Sequence, residues 1–440
     1  MQFITLLAVF SSSAAAADGA YPGHFVAISA GSSHTLGLKD DGTVWACGSD
    51  YYGECGIAPE VVQNSSYIRP WTKMDGLTSV MAISAGGSLS MALKSDGTVW
   101  TWGIGNMLGD GTSDEHAHPV PVQVPGLSWI KAIAAGQNYA FALKEDGTVM
   151  GWGDNTNGLL GNGMPIGLHK AVWPTYYSYI PVQVNGLSGI THIAATMGNP
   201  VALKSDGTVW TWGYIPSVKV ADNVLPPSEI VGISNAIDVA GGNYHIDILK
   251  DDGTVWTVSG DIQYCLPGAT ERPMQVAELR EIADISAIDE HTLARSKDGS
   301  IWAWGQNYYG QLGDGTEKDR SSPVKVPLSD IAVISAGMHF SIAVSGDGTV
   351  WAWGNDQSGQ LGDGDHEEVP VGSRFDKTTP VKVIAGTSSS AQNNSSTSDS
   401  TIKPDITPSP SPGFGLAETS IILAVTVTFA SIRFSQRKRS

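Results

Sequence analysis

One pentapeptide, Asp-Gly-Thr-Val-Trp, limits the possible folds of this chain more than any other feature. It is complete at 41–45, 96–100, 206–210, 252–256 and 347–351, and stands with one or two substitutions at 146–150 and 298–302. Each copy lies between two apolar runs, as in Ala140-Phe141-Ala142-Leu143 before and Val149-Met150-Gly151-Trp152 after the third copy. Asp-Gly between alternating apolar segments is a strong hairpin signal, because Gly takes a positive φ without a Cβ clash. Thr, Val and Trp then favour a half-buried pleated strand. Each copy therefore reads as a β-hairpin turning at Asp-Gly.

The turn glycines are Gly42, Gly97, Gly147, Gly207, Gly253, Gly299 and Gly348, spaced by 55, 50, 60, 46, 46 and 49 residues. A period of that size marks stacked units or propeller blades. Before each hairpin runs a short apolar strand ending in small residues, such as Ile28-Ser29-Ala30-Gly31 or Ile334-Ser335-Ala336-Gly337. After it come a variable loop and a fourth segment, such as Pro121-Val122-Gln123-Val124 or Pro380-Val381-Lys382-Val383. Four strands in each of seven units predict an all-β chain, a seven-bladed β-propeller with four-stranded antiparallel blades. The Ala-Gly strand ends suit the crowded axis. Residues near Phe25 and Val383 must meet to close the ring, and the sequence leaves open whether one blade mixes strands from both ends.

The string Ser-Ala-Gly, then Leu-Lys-x-Asp-Gly-Thr-Val-Trp-x-Trp-Gly, then Gly-Gln-Leu-Gly-Asp-Gly-Thr, then Pro-Val-x-Val resembles the regulator of chromosome condensation repeat over roughly residues 25–384. Segments 306–316 and 355–364 carry the middle part most fully. The resemblance implies a propeller. It transfers no function, since such repeats serve exchange factors, inhibitors and many interaction modules.

Composition and the chain ends bear on location. Formal net charge is −18, and up to Gly386 the chain holds 20 basic against 40 acidic residues. Nucleic acid is a poor partner for such a surface, because phosphates recruit Lys and Arg. Residues 1–17 carry an apolar run from Phe3 to Phe10 and small residues Ala14 to Ala17, which reads as a signal peptide lacking the usual basic start. The propeller is assigned to 18–386. Residues 387–412 are rich in Ser, Thr, Asn and Pro and read as an extended linker, with Asn393 and Asn394 in glycosylation sequons. Another sequon begins at Asn64. Residues 413–440 hold an apolar run from Leu416 to Ile432 and a basic end, Arg437-Lys438-Arg439. This tail resembles the Pro-Gly-Phe sorting signals of archaeal surface proteins (here Pro412-Gly413-Phe414), which implies removal and replacement by a lipid anchor. The other reading is a C-terminal transmembrane helix. Both predict a propeller secreted and held at the outer face of the membrane.

The residues that might carry chemistry each have a structural reading beside them. Eleven of the fourteen Trp residues fall in the Val-Trp-x-Trp strands, where positions two apart face one side and fill space between blades. Eight residues before each turn glycine stand His34, Leu89, Tyr139, Asn199, His245, His291 and Phe340. A slot that takes Leu and Phe as readily as His is a packing position rather than a ligand set. Segments 314–319 and 363–368 offer calcium-type oxygens off the EF-hand spacing, and their Asp-Gly pattern also serves turn geometry. Cys47 replaces the second Trp of its repeat; it either bridges Cys55 or stays a free core thiol, and Cys265 lies in a later loop. No nucleophile elbow, zinc-helix or phosphate-loop motif is present. No catalytic residue, metal or cofactor is expected.

The remaining candidates are the insertions between third and fourth strands, which emerge on one rim. Blade three offers Trp173, Tyr176, Tyr177 and Tyr179, and blade one offers Tyr51, Tyr52 and Tyr67. Trp173, Tyr176, Tyr177, Tyr179, Tyr51 and Tyr52 form the expected ligand-binding set, since such rings stack on sugars or anchor protein contacts. The first functional reading is a non-catalytic extracellular module binding a protein or glycan. The alternative is a surface enzyme for polysaccharide or peptide material, with carboxylates drawn from several blades. An intracellular exchange factor is the third.

Overall fold

The computed structural model describes residues 23–57, 67–164, 176–196, 198–214, 224–259, 273–364 and 375–383. The signal segment, the linker, the tail, Trp173, Cys265 and all three sequons lie outside the described residues. Among the described residues no helix is long and apolar enough to cross a membrane.

The strands form seven separate sheets, each of four strands consecutive in sequence and hydrogen-bonded in that order, all antiparallel. The blades span 25–73, 80–123, 130–183, 190–229, 236–275, 282–325 and 331–383. The fold is the seven-bladed all-β propeller that the repeat spacing predicts. Because strands alternate in direction, the propeller has two distinct faces. The Asp-Gly hairpin turns and the linkers between blades lie on a turn face. The turns after each innermost strand and the variable insertions lie on a loop face.

The repeated pentapeptide is a self-contained hairpin cassette. Gly97 N–H reaches the Lys94 carbonyl at 2.9 Å, with Gly97 at φ +79°. The loop is thus a three-residue turn with Gly in its left-handed position, rather than a two-residue Asp-Gly turn. Asp96 Oδ1 accepts the Thr98 N–H (3.0 Å) and hydroxyl (2.6 Å), and the Thr98 hydroxyl accepts Trp100 Nε1–H at 3.1 Å. Lys94 Nζ stands 5.3 Å from the Trp100 ring. The same arrangement recurs around Asp41, Asp206 and Asp252. Threonine hydroxyls hold these carboxyls below the usual range. The motif's Asp Oδ1, Thr and Trp groups thereby engage one another.

In four blades the second Trp of the third strand locks the blade to the loop of the blade before it. Trp102, Trp152, Trp212 and Trp353 donate their indole N–H to the carbonyls of Glu54, Met107, Leu159 and Gln311 at 2.7–3.0 Å. Their rings fill the clusters between blades, as the pattern predicts. Blade one has Cys47 at this position. Its slot is filled instead by Trp71 from the outermost strand, which packs on Phe25 at 5.0 Å. The ring packs on an equivalent glycine in both cases, but among the described residues the Trp71 indole N–H has no hydrogen-bond partner, and the Gln360 carbonyl of that loop accepts the Thr35 hydroxyl instead. A Cβ on Gly313 would stand 2.8 Å from Trp353 Nε1, and one on Gly362 would stand 2.6 Å from Trp71 Nε1. Cys47 and Cys55 are both buried free thiols.

Ring closure uses the serine tie found at three internal joints, between blades one and two, two and three, and six and seven. Ala85 and Ala135 N–H bond the hydroxyls of Ser29 and Ser84 in the preceding blade, both at 2.9 Å. Ala30 of blade one bonds Ser335 of blade seven at 3.0 Å, and Met338 N–H reaches the Gly31 carbonyl at 3.0 Å. No blade mixes strands from the two chain ends. Blade seven meets blade one through side-chain packing of Val333, Phe340 and Val350 against Ile28, Cys47 and Trp71.

The histidine slot also joins blades. His34 and His291 are buried, and their Nε2 atoms lie 2.9 Å from Ser90 and Ser341 of the next blade. Burial lowers these imidazoles to about 4 and about 3, so both are neutral hydrogen-bonding spacers.

Candidate functional site

The innermost strands enclose a channel of about 150 Å³, lined mainly by Ala, Ile and Ser side chains. The four serines there, Ser29, Ser84, Ser286 and Ser335, are committed to the joints. The titratable groups lining it are Lys131 and His192, and no carboxylate is among them. Burial, with the nearby Lys131 charge, lowers His192 to about 4. A channel this narrow and this bare of acids offers no place for two carboxylates to flank a glycosidic bond.

The loop face is different. Tyr51 is 65% exposed and stands edge-on to Tyr52, centroids 4.8 Å apart. Tyr52 turns inward against the blade-two core, and its N–H bonds Glu54 Oε2 at 2.7 Å. Blade six repeats this arrangement: Tyr308 is 57% exposed, edge-on to Tyr309 at 4.9 Å, and Tyr309 N–H bonds Gln311 Oε1 at 3.0 Å. Tyr309 in turn stacks on His339 at 4.7 Å, and His339 Nδ1 lies 3.3 Å from Asp289 Oδ2. Tyr244, in the turn after the innermost strand of blade five, is 63% exposed. Tyr308, Tyr309 and Tyr244 were not expected from the sequence. The first two had a signal, because Tyr-Tyr-Gly stands at the same loop position in blades one and six.

Tyr176, Tyr177 and Tyr179 are half-buried. Tyr177 and Tyr179 stack nearly parallel, 7° apart with centroids at 6.1 Å. Burial, helped by Asp154 and Glu115, pushes the Tyr177 hydroxyl up to about 12. The Tyr179 carbonyl accepts the Gly111 N–H of blade two at 2.8 Å, which ties this strand to the neighbouring loop. The expected tyrosines thus form two patches with blade two between them. The loop of blade one rests on Pro119 of blade two, where a Cβ on Gly53 would come within 2.7 Å of the Pro119 nitrogen.

The loops themselves are held by internal polar ties. Asn307 Oδ1 accepts the Leu312 N–H at 2.9 Å, and its Nδ2 reaches Asp314 at 3.2 Å. Asp314 also receives Arg320 through Nε (2.8 Å) and Nη2 (2.6 Å), so its carboxylate is engaged within the loop. Blade seven keeps the backbone tie, with Leu361 N–H on Asp356 Oδ1 at 2.9 Å, but has Asp where blade six has Asn. Burial, reinforced by Asp363, pushes the Asp356 carboxyl up to about 8. Asp50 holds the same place in blade one and is pushed to about 7. Acidic side chains dominate this face: Asp110, Asp114, Glu115, Asp154, Asp289, Glu290, Glu317 and Asp319 against Lys318, Arg320 and Lys377.

The regulator of chromosome condensation (RCC1) repeat profile matches residues 41–93, 96–143, 146–198, 298–344 and 347–391, and a second profile of the same repeat matches 25–54, 130–159, 282–311 and 331–360. Protein pim1 of Schizosaccharomyces pombe is 36% identical over 99 residues, 20% of this chain and 18% of that protein. The human E3 ubiquitin-protein ligase HERC2 is 36% identical over 102 residues, 22% of this chain and 2% of HERC2. Both matches cover less than a quarter of the relative's length. The fold is that of yeast RCC1 (Prp20) in its crystal structure with Kap60, with a TM-score of 0.62 and 21% identity over 80% of this chain and 84% of that one.

Proposed function

The chain belongs to the regulator of chromosome condensation repeat family, and from that premise we propose that it is a non-catalytic binding module whose loop face grips a protein or glycan partner. The observation that carries this reading is the exposure of Tyr51, Tyr244 and Tyr308 from three different blades on one face. A soluble fold gains nothing from leaving such rings in water, whereas aromatic anchors surrounded by polar groups suit recognition. Yeast RCC1 is seen bound to another protein, Kap60, which favours a protein over a glycan. The bare channel weighs against the enzyme alternative.

The module is placed outside the cell, held at the membrane by its C-terminal segment or a lipid that replaces it. The apolar start, the Ser/Thr-rich linker and the apolar tail with a basic end support this. The outermost strand of blade seven, Lys377–Val383, runs from the loop face to the turn face. Val383, the end of that strand, lies on the face opposite the exposed tyrosines.

A cell-surface protein and glycan screen with the purified protein tests the binding, run beside a folded Tyr51→Ala/Tyr308→Ala variant and a folded Tyr177→Ala/Tyr179→Ala variant. Loss of the captured partner by the first variant supports the reading. Equal capture by all three proteins removes the loop-face tyrosines from it. Recovery of the intact chain from cytosol, both termini unprocessed, removes the extracellular assignment.

A further inference from the structure

The turn face is nearly uniform around the ring, and one residue departs from it. Each linker enters its blade through a residue in the left-handed region: Ser79, Asn235, Glu281 and Asp330 at φ +56° to +59°, and Gly189 at +67°. In blade three this residue is Trp129, at φ +57° and 72% exposed. A bulky side chain is rare in that conformation. Here the indole gains no burial in return, since it lies open beside a surface groove of about 780 Å³. Met81 and Leu127 supply the groove's apolar lining, and its charged groups are Asp96, Glu145 and Lys131. Lys131 points its ammonium at the Ile190 carbonyl, 3.3 Å away at the neighbouring blade.

The chain contains its own template for what such a groove takes. In four hairpins a lysine ammonium stands 3.7–5.3 Å from a tryptophan ring: Lys39 on Trp45, Lys94 on Trp100, Lys204 on Trp210 and Lys250 on Trp256. An Asp carboxylate closes each arrangement through the hairpin threonine. Trp129 has the ring and the carboxylates, Asp96 and Glu145, but among the described residues no cation stacks on it. A lysine or arginine delivered from outside would complete it, with the ring quadrupole and the two carboxylates both favouring positive charge.

We propose that the Trp129 groove is a second binding site, which docks a basic segment of a partner protein by stacking a Lys or Arg side chain on the indole between Asp96 and Glu145. The site lies on the face opposite the exposed tyrosines and does not depend on their role. The partner's remaining residues would run along Met81 and Leu127.

The probe is fluorescent hexa-arginine, titrated against the full-length protein by polarisation, with hexaglutamate as the charge control. Trp129→Asn serves as the main variant, because Asn235 already occupies the equivalent place in blade five and the backbone there accepts it. Glu145→Gln is the second variant, and both are checked by thermal melting. The expected result is binding that weakens about tenfold in Trp129→Asn, falls by a smaller factor in Glu145→Gln, and is unchanged in Val120→Ala, an exposed side chain on an outer strand. Hexa-arginine that fails to bind, or that binds wild type and Trp129→Asn equally, overturns the proposal. Neutral oligosaccharide bound at Trp129 in place of the peptide overturns it too.

Discussion

The two faces of the propeller are built on opposite principles. On the turn face the same hairpin cassette recurs blade after blade, its Asp, Thr, Trp and Lys engaged with one another. On the loop face each blade differs, and the rings of Tyr51, Tyr244 and Tyr308 stand more than half exposed. Repetition marks what holds the ring together. Departure from the repeat marks either a local repair or a surface open to a partner, and the structure separates the two. Cys47 is a departure that Trp71 repairs from another strand. Trp129 is a departure with no repair.

The largest expected effect comes from breaking a repeated element. Trp353→Ala removes a buried ring and its hydrogen bond to Gln311, and should destabilise the protein by about 3–5 kcal/mol. Trp71→Ala should fall short of it only by the missing hydrogen bond, about 1 kcal/mol, because the ring fills the same slot at the closing seam but its indole N–H has no partner among the described residues. A clearly larger shortfall in a melting experiment on Trp71→Ala would mean that blades one and seven close less firmly than their neighbours.

Next come the loops of blades seven and one, where a carboxyl replaces the amide of blade six. Asp356 has a folded pKa raised from 3.8 to about 8, so the folded protein keeps a proton that the unfolded chain releases. Stability should therefore fall as pH rises from about 4 to about 8. Asp50, pushed to about 7, adds the same sign over a narrower window. Asp356→Asn copies Asn307 of blade six and should raise stability near pH 8 by on the order of 3 kcal/mol, leaving it unchanged near pH 4. Denaturant melts across that range check the slope, and a variant as steep as wild type would show that Asp356 does not carry it.

A smaller effect compares two joints. Ser335→Ala at the closing joint and Ser286→Ala at an internal one each remove a hydroxyl that accepts a backbone N–H at 2.9–3.0 Å. Each should cost about 1 kcal/mol. Equal losses place the closing joint on a par with the rest.

Much of this fold was legible in the sequence because the inner three strands of each blade are buried on both sides, and burial forces a fixed pattern. Outer strands pair on one side only, and there the pattern decays. Blades four and five read as degenerate after Gly213 and Thr257, yet each completes its sheet, with Val224–Glu229 and Met274–Gln275. Pro226 and Pro227 are tolerated because an edge strand needs fewer N–H donors. The repair of Cys47 was illegible, since Trp71 lies 24 residues away on another strand and only the folded slot relates them. The sequence named the tyrosines but not their exposure: Tyr51 stands exposed, whereas Tyr52 turns inward and Tyr177 and Tyr179 stack half-buried. Which member of a Tyr-Tyr pair points outward depends on the neighbouring blade, and a linear sequence does not contain that neighbour. Tyr308 and Tyr309 are legible from the repeated Tyr-Tyr-Gly, although their loop is shorter than the insertion of blade one.

The smallest expected change in stability belongs to the exposed tyrosines, and it supplies the most direct measurement. Tyr51→Ala/Tyr308→Ala and Thr208→Val, which breaks one hairpin cassette, would be carried side by side through thermal melting and partner capture. The tyrosine variant should keep its stability within about 0.5 kcal/mol of wild type while losing at least about tenfold in binding. The Thr208 variant should melt earlier and, while folded, bind as wild type does. The opposite pattern, with full capture by the tyrosine variant and lost capture by a still-folded Thr208 variant, would place recognition in the repeat itself and contradict the division between the two faces.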